Sequence, residues 1–176
     1  AFVLFTSYAN LRLVHAVVKR SQLQFPIFVQ GDAPKFSLLQ DFRSTPNAVL
    51  FATSSFWQGV DVAGEALSCV IIDKLPFASP RDPITAARIE MIADRGDNAF
   101  TTYQIPLAIL ALQQGLGRLI RNKRDRGVLV ILDSRIHTKS YGKRFLASLP
   151  PAPLTSEMAD LEQFFAIPSE TQVEGR

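Results

Sequence analysis

The chain has 176 residues, of which 47% are hydrophobic and 20% are charged, the composition of an ordinary globular domain. No stretch approaches the roughly 20 apolar residues that a membrane-spanning helix needs, and the single cysteine excludes an internal disulfide framework. The net charge of +3 permits nucleic-acid binding without requiring it. Residues 118–126, however, hold five basic residues against one acidic residue, and such a local patch is typical of a phosphate-binding site.

Apolar strands alternate with amphipathic helices along the chain. The spacing of apolar residues predicts strands at 2–5, 27–29, 49–52, 70–72 and 128–132, and helices at 9–20, 35–42, 82–94, 103–120, 141–149 and 155–165. In the second of these helices, we expect Phe36, Leu39 and Phe42 to lie on one face. The alternation predicts an α/β fold, a parallel β-sheet with helices on both faces. We expect residues 1–150 to form the compact domain and residues 151–176 to form a C-terminal helix and a frayed tail.

Residues 114–121 carry the most informative pattern, Q-x-x-G-R-x-x-R. On a helix, Gln114, Arg118 and Arg121 fall at positions i, i+4 and i+7, so their side chains share one face. Two guanidinium groups and an amide on one face suit a ligand that carries phosphates, and Gly117 removes a Cβ where something must approach closely. The residues alone leave a second interpretation open, a solvated basic face followed by a surface loop.

A second pattern, T-x5-G-x-D, spans Thr53, Gly59 and Asp61. It follows the apolar run 48–52, which predicts a buried strand that ends at Thr53. In open parallel sheets, ligands bind at the carboxyl ends of the strands. The pattern therefore indicates a ligand site to which the glycine backbone and the carboxylate both contribute.

Taken in this order, the two patterns resemble motifs V and VI of superfamily-two helicases. Residues 5–8, which read F-T-S-Y, resemble motif IV, and residues 29–32, 74–83, 132–135 and 141–144 resemble the DinG/XPD branch. The resemblance covers roughly residues 1–165 and is specific because separated segments agree in order. The chain is thus similar to the second RecA-like motor domain of a DinG-type DNA helicase, which implies a RecA-like fold.

The resemblance implies roles for individual residues. Arg121 and Arg118 correspond to arginines that reach the γ-phosphate of ATP across the cleft between two motor domains. The residues expected at the nucleotide are Gly59, Asp61, Gln114 and Gly117. The residues expected to contact single-stranded DNA are Ser7, Tyr8 and Thr53.

Several of these residues have a plain structural alternative. Asp61 also fits the cap of a turn, and Thr53 also fits a strand-end residue that hydrogen-bonds local backbone. Ser7 fits a helix N-cap with Tyr8 packed beneath it. For Asp133 and Arg135 we expect an ion pair that supports the motif VI helix and takes no part in catalysis.

The sequence lacks the G-x-x-x-x-G-K-[ST] loop and the acidic pair that hold ATP and Mg²⁺. We therefore expect half of a two-domain motor from a longer polypeptide, whose N-terminal RecA-like motor domain binds most of the ATP and Mg²⁺. An iron–sulfur cluster needs four cysteines, so Cys69 alone holds none, although another part of such a polypeptide is free to carry one. His15 and His137 are isolated, and we expect no metal site. The expected location is cytoplasmic, with action at the nucleoid and no membrane contact.

The sequence leaves two other classes of function to compare. A RecA-like module that binds nucleic acid or protein without catalysis is favoured if the natural protein begins near Ala1. A Rossmann-type redox or transferase domain is weakly supported, because no G-x-G-x-x-G follows the first strand.

Overall fold

The computed structural model describes residues 1–21, 23–53, 56, 67–120 and 125–166, with only the backbone of Arg118. Within these residues, no helix combines the length and the apolar character needed to cross a membrane.

Five parallel strands form one sheet in the described part of the chain. Their order is β2-β3-β1-β4-β5, so the first strand lies at the centre. The bounds are β1 Phe2–Phe5, β2 Ile27–Val29, β3 Val49–Thr53, β4 Cys69–Ile72 and β5 Val128–Ile131. The predicted parallel sheet is therefore confirmed. Parallel strands buried on both faces read as apolar runs, which is why they were visible in the sequence.

Seven α-helices lie within the described ranges, and six of them were predicted. Their bounds are α1 Tyr8–Arg20, α2 Lys35–Ser44, α3 Pro83–Asp94, α4 Ile105–Leu119, α5 Arg135–Thr138, α6 Gly142–Ser148 and α7 Met158–Ala166. A π-helical turn, Phe100–Gln104, leads into α4. The start of α3 follows the predicted chemistry, because the Asp82 side chain accepts a hydrogen bond of 2.8 Å from the Thr85 N–H and Pro83 occupies the first turn.

Helices cover both faces of the sheet, as predicted. On one face, Val3 and Phe5 of β1 pack with Leu11 of α1. On the other face, Phe2 and Leu4 belong to the larger core, to which the helices contribute Leu38, Phe42, Ile105, Ala108, Leu112 and Phe145. Successive residues of a strand point to opposite faces, and β1, β2 and β3 accordingly supply side chains to both cores.

The buried face of α2 is only partly the face that Phe36, Leu39 and Phe42 share. Phe36 is 77% exposed, whereas Leu38, Leu39 and Phe42 are buried. Leu38, Leu39 and Phe42 fall within about 100° of the helix circumference, the width of one apolar stripe, and Phe36 lies beside it. Leu39 and Phe42 therefore lie towards the core, and Phe36 lies at the exposed side of the face that the three residues share.

Candidate functional site

A crevice is expected where neighbouring parallel strands continue to helices on opposite faces of the sheet. Strands β1 and β4 meet this condition. The helix after β1, α1, packs on the sheet face that carries Phe5. Helix α4, which lies between β4 and β5 in the chain, packs through Ile105 and Ala108 on the opposite face, which carries Leu4. The candidate site therefore lies at the carboxyl ends of the central strands.

Asp73 joins the two sides of this crevice. Its carboxylate accepts hydrogen bonds from the Thr6 N–H at 3.0 Å and from Asn10 Nδ2 at 3.1 Å, with the Thr6 hydroxyl at 3.5 Å. Asp73 directly follows β4, and Thr6 directly follows β1. The carboxylate thereby fixes the segment that carries the candidate DNA-binding residues.

Ser7 and Tyr8 begin α1. The Ser7 side chain accepts a hydrogen bond of 3.2 Å from the Asn10 N–H, so the N-cap alternative is confirmed for Ser7. Tyr8 is not packed beneath the cap, because it is 46% exposed and its hydroxyl accepts a hydrogen bond from Gln30 Nε2. The ring is thus available at the sheet edge, and contact of either residue with DNA stays a prediction.

Thr53 lies at the end of β3 and is only 5% exposed. Its N–H and its hydroxyl both donate to Gln30 Oε1, at 2.7 and 3.0 Å. The structural alternative named local backbone as the partner, whereas the observed partner is the side chain of the residue that directly follows the neighbouring strand β2. A contact between Thr53 and DNA stays a prediction, and the hydroxyl hydrogen is already engaged.

The motif VI helix is α4, and it ends earlier than predicted. Ile120 has extended backbone angles, φ −120° and ψ 111°, and its N–H closes the last turn on the Leu116 carbonyl. Gln114 and the backbone of Arg118 lie in the helix, but Arg121 follows its end. Arg121 lies outside the described residues, so the expectation that all three residues share one face stays a prediction.

Gly117 lies on an exposed part of α4, and a Cβ built there meets no atom of the described chain within 4 Å. Gln114 is also exposed. Leu107 and Leu110, exposed by 37 and 53%, continue the same helix face towards its N-terminus. Gly59, Asp61 and Arg121 lie outside the described residues.

Asp133 and Arg135 form the expected ion pair, with Arg135 Nη2 2.6 Å from Asp133 Oδ2. The Asp133 carboxylate also accepts the Leu75 N–H at 2.8 Å. Burial works to raise the pKa of Asp133, but the hydrogen bonds from Arg135 and Leu75 outweigh it and lower the pKa to about 2. Arg135 in turn lies over the Phe77 ring.

The ion pair reaches the motif VI helix only indirectly. Phe77 stacks on Phe100, the first residue of the π-helical turn before α4, and packs against Tyr141 and Phe145. The pair therefore holds the loop after β4 and supports α4 through this aromatic cluster.

Among the described residues, no group of three or more His, Cys, Asp or Glu side chains is arranged to hold a metal ion. Two residues of the site, Gln30 and Asp73, were not among the predicted site residues. Each is the first polar residue after an apolar strand. The same rule that selected Thr53 would have found them.

A helicase C-terminal domain family model matches residues 1–152. The ATP-dependent DNA helicase YoaA of Escherichia coli (strain K12) is 53% identical over 168 residues, which are 96% of this chain and 26% of YoaA. The 3'-5' exonuclease DinG of Bacillus subtilis (strain 168) is 41% identical over 165 residues, which are 91% of this chain and 18% of that protein.

The fold agrees with this match. A solved structure named XPD_Helicase superposes with a TM-score of 0.62 at 24% sequence identity, covering 87% of this chain and 28% of that chain. The chain spans about a quarter of the length of YoaA. By its sequence and its fold, the chain belongs to the family of helicase C-terminal domains of the DinG/XPD type.

Proposed function

We propose that this chain is the second motor domain of an ATP-dependent DNA helicase of the DinG family that acts in DNA repair. The first motor domain, in the same polypeptide, would hold ATP and Mg²⁺, and this domain would complete the ATPase site and contact single-stranded DNA. We expect such a protein in the cytoplasm, at the nucleoid. The proposal is supported by the family match and by the names of YoaA and the DinG relatives.

The observation that carries the proposal is the exposed face of α4 on which Gln114 and Gly117 lie. A glycine inside a helix costs about 1 kcal/mol relative to alanine, and no packing within the described domain requires one at Gly117. A ligand from outside the domain supplies a reason for the glycine. Gln114 on the same face offers donors and an acceptor to phosphate or to the neighbouring arginines.

The same face fits the proposed partner domain. Leu107 and Leu110 are exposed apolar residues beside Gln114, and burial against the first motor domain would remove them from water. The nucleotide would then lie between the domains, near Gly117 and the end of α4, with Gly59 and Asp61 as further contacts.

Arg118 and Arg121 are the proposed sources of positive charge for catalysis. The γ-phosphoryl group spreads negative charge over its oxygens as it transfers, and an arginine supplied across the cleft stabilises that charge. Mg²⁺ bound with ATP neutralises part of the same charge. An arginine of this kind contributes about 10³–10⁵ in rate.

Arg121→Lys in the full-length polypeptide tests the catalytic role. The variant should bind ATP with unchanged affinity and hydrolyse it at least about 10³-fold more slowly, since lysine lacks the planar fork of donors. Lys123→Gln is the matched control, because it removes a charge from the same basic run. Near-normal hydrolysis by Arg121→Lys, or equal losses in both variants, would refute the assignment.

A further inference from the structure

Gln30 connects the ends of three elements at the carboxyl edge of the sheet. It directly follows β2, and its side chain bonds Thr53 at the end of β3 and Tyr8 at the start of α1. Its own backbone is fixed, because the Gln30 N–H donates to the Phe51 carbonyl at 2.8 Å. Gly31, with φ +105°, then turns the chain away, a conformation that favours glycine.

The orientation of the Gln30 amide follows from its partners. A backbone N–H only donates, so the amide atom that faces the Thr53 N–H at 2.7 Å must be the oxygen, Oε1. The Thr53 hydroxyl donates to the same oxygen at 3.0 Å. The amide nitrogen, Nε2, is therefore the atom that faces Tyr8, and it donates to the tyrosine hydroxyl.

The hydrogen bond from Gln30 determines in which direction the Tyr8 hydroxyl can donate its own hydrogen. A tyrosine hydroxyl carries one hydrogen and also accepts. Since Tyr8 accepts from Gln30, its own hydrogen is directed elsewhere, and no other hydrogen bond of this hydroxyl is found among the described residues. With 46% of Tyr8 exposed, the result is an oriented O–H donor at the sheet edge.

The donor lies on the β3 side of β1. On the other side of β1, towards β4, the Asp73 carboxylate accepts hydrogen bonds from Thr6 and Asn10, and its negative charge would repel an anion. Phosphate oxygens are the acceptors that recur along a nucleic-acid strand whatever its sequence. An oriented donor away from the carboxylate suits one of them.

We propose that Gln30 is a positioning residue that directs the Tyr8 O–H outward, where it donates to a phosphate oxygen of bound single-stranded DNA. The inference rests on the proposed function and adds to it the residue that makes the Tyr8 hydroxyl the hydrogen-bond donor in its contact with DNA. Gln30 itself does not touch the DNA in this account.

The test is a double-mutant cycle in the full-length polypeptide, with affinity for a labelled oligothymidylate measured by fluorescence anisotropy. Tyr8→Phe removes the donor and should weaken binding about tenfold, the lower end for hydrogen bonds to charged groups. Gln30→Glu keeps an oxygen for Thr53, but a carboxylate has no hydrogen to donate to Tyr8. The Tyr8 hydroxyl would then donate its own hydrogen to that carboxylate and could not donate it to DNA. The added negative charge weakens binding by the same factor whether or not Tyr8 is present.

Gln30→Glu should therefore cost about tenfold more affinity when Tyr8 is present than in the Tyr8→Phe background. A purely structural role for Gln30 would give equal costs in both backgrounds and overturn the inference. Thermal unfolding of each variant checks the fold, and if Gln30→Glu does not fold, Tyr8→Phe decides alone, because unchanged affinity overturns the proposal. Absence of oligothymidylate binding by the unsubstituted protein would overturn the proposed function itself, and the inference with it.

Discussion

Asp133 is expected to stabilise the domain in its ionised form. Its carboxylate bonds Arg135 and the Leu75 N–H, and the residue as a whole is 7% exposed. The pKa falls from 3.8 to about 2 on folding, and each pKa unit corresponds to about 1.4 kcal/mol. The Arg135 side chain is 38% exposed, so solvent screens part of the attraction. We therefore expect Asp133→Asn to lower the free energy of unfolding by about 1–2 kcal/mol at pH 7.

The pH dependence has a defined sign. The carboxylate has a lowered pKa in the folded state, so its contribution is complete above the unfolded value of 3.8 and is lost as the pH falls towards the folded value of about 2. At pH 3, about half of the contribution should remain. Below both values, Asp133 is neutral like asparagine, and the two proteins should unfold alike.

Urea unfolding at pH 7 and at pH 3 measures this difference directly. Asp94→Asn is the matched control, because it removes the same charge from an exposed position at the end of α3. It should change the free energy of unfolding by less than about 0.5 kcal/mol. A difference between the unsubstituted chain and Asp133→Asn that is equally large at both pH values would refute the reasoning.

Three further substitutions test the packing and the site. Gly142→Ala should lower the free energy of unfolding by about 3 kcal/mol or more, because the new Cβ would lie 2.0 Å from the Ile136 carbonyl oxygen. Urea unfolding measures this loss, and a loss below about 1 kcal/mol would contradict the packing. Gly117→Leu should leave the thermal unfolding temperature unchanged or higher, since nothing lies within 4 Å, yet lower ATP hydrolysis by the full-length polypeptide; normal hydrolysis would argue against a nucleotide at this face. Thr53→Ala should weaken binding of single-stranded DNA and leave basal ATP hydrolysis intact, with Thr53→Ser as control because it keeps the hydroxyl bonded to Gln30; loss of both activities together would indicate misfolding.

The sequence predicted the sheet because its strands are short apolar runs, and it predicted the start of α3 because Asp82 and Pro83 are local signals. These features depend on neighbours in the chain. The four-residue helix α5 escaped prediction, since it is too short to show a helical period. The end of α4 at Leu119 was also missed, because the apolar pattern continues through Ile120 while the backbone does not.

In the candidate site, too, local features were predicted and long-range contacts were not. Thr53 and Ser7 were selected correctly as strand-end and helix-start residues, and Ser7 accepts the local hydrogen bond expected of an N-cap. The partners from distant segments were not predicted: Gln30 reaches Thr53 across 23 positions of sequence, and Asp73 reaches Thr6 across 67. Such contacts follow from the strand order β2-β3-β1-β4-β5, and periodicity within one segment carries no information about that order.

The central claim is that this domain supplies one half of an ATPase site. The most direct measurement is ATP hydrolysis by the folded chain alone and by the full-length polypeptide, each with and without single-stranded DNA. We expect no turnover by the chain alone and DNA-stimulated turnover by the full-length polypeptide, because most phosphate contacts and Mg²⁺ are assigned to the first motor domain. DNA-stimulated turnover by the chain alone would contradict the account, since the site would then be complete within these 176 residues.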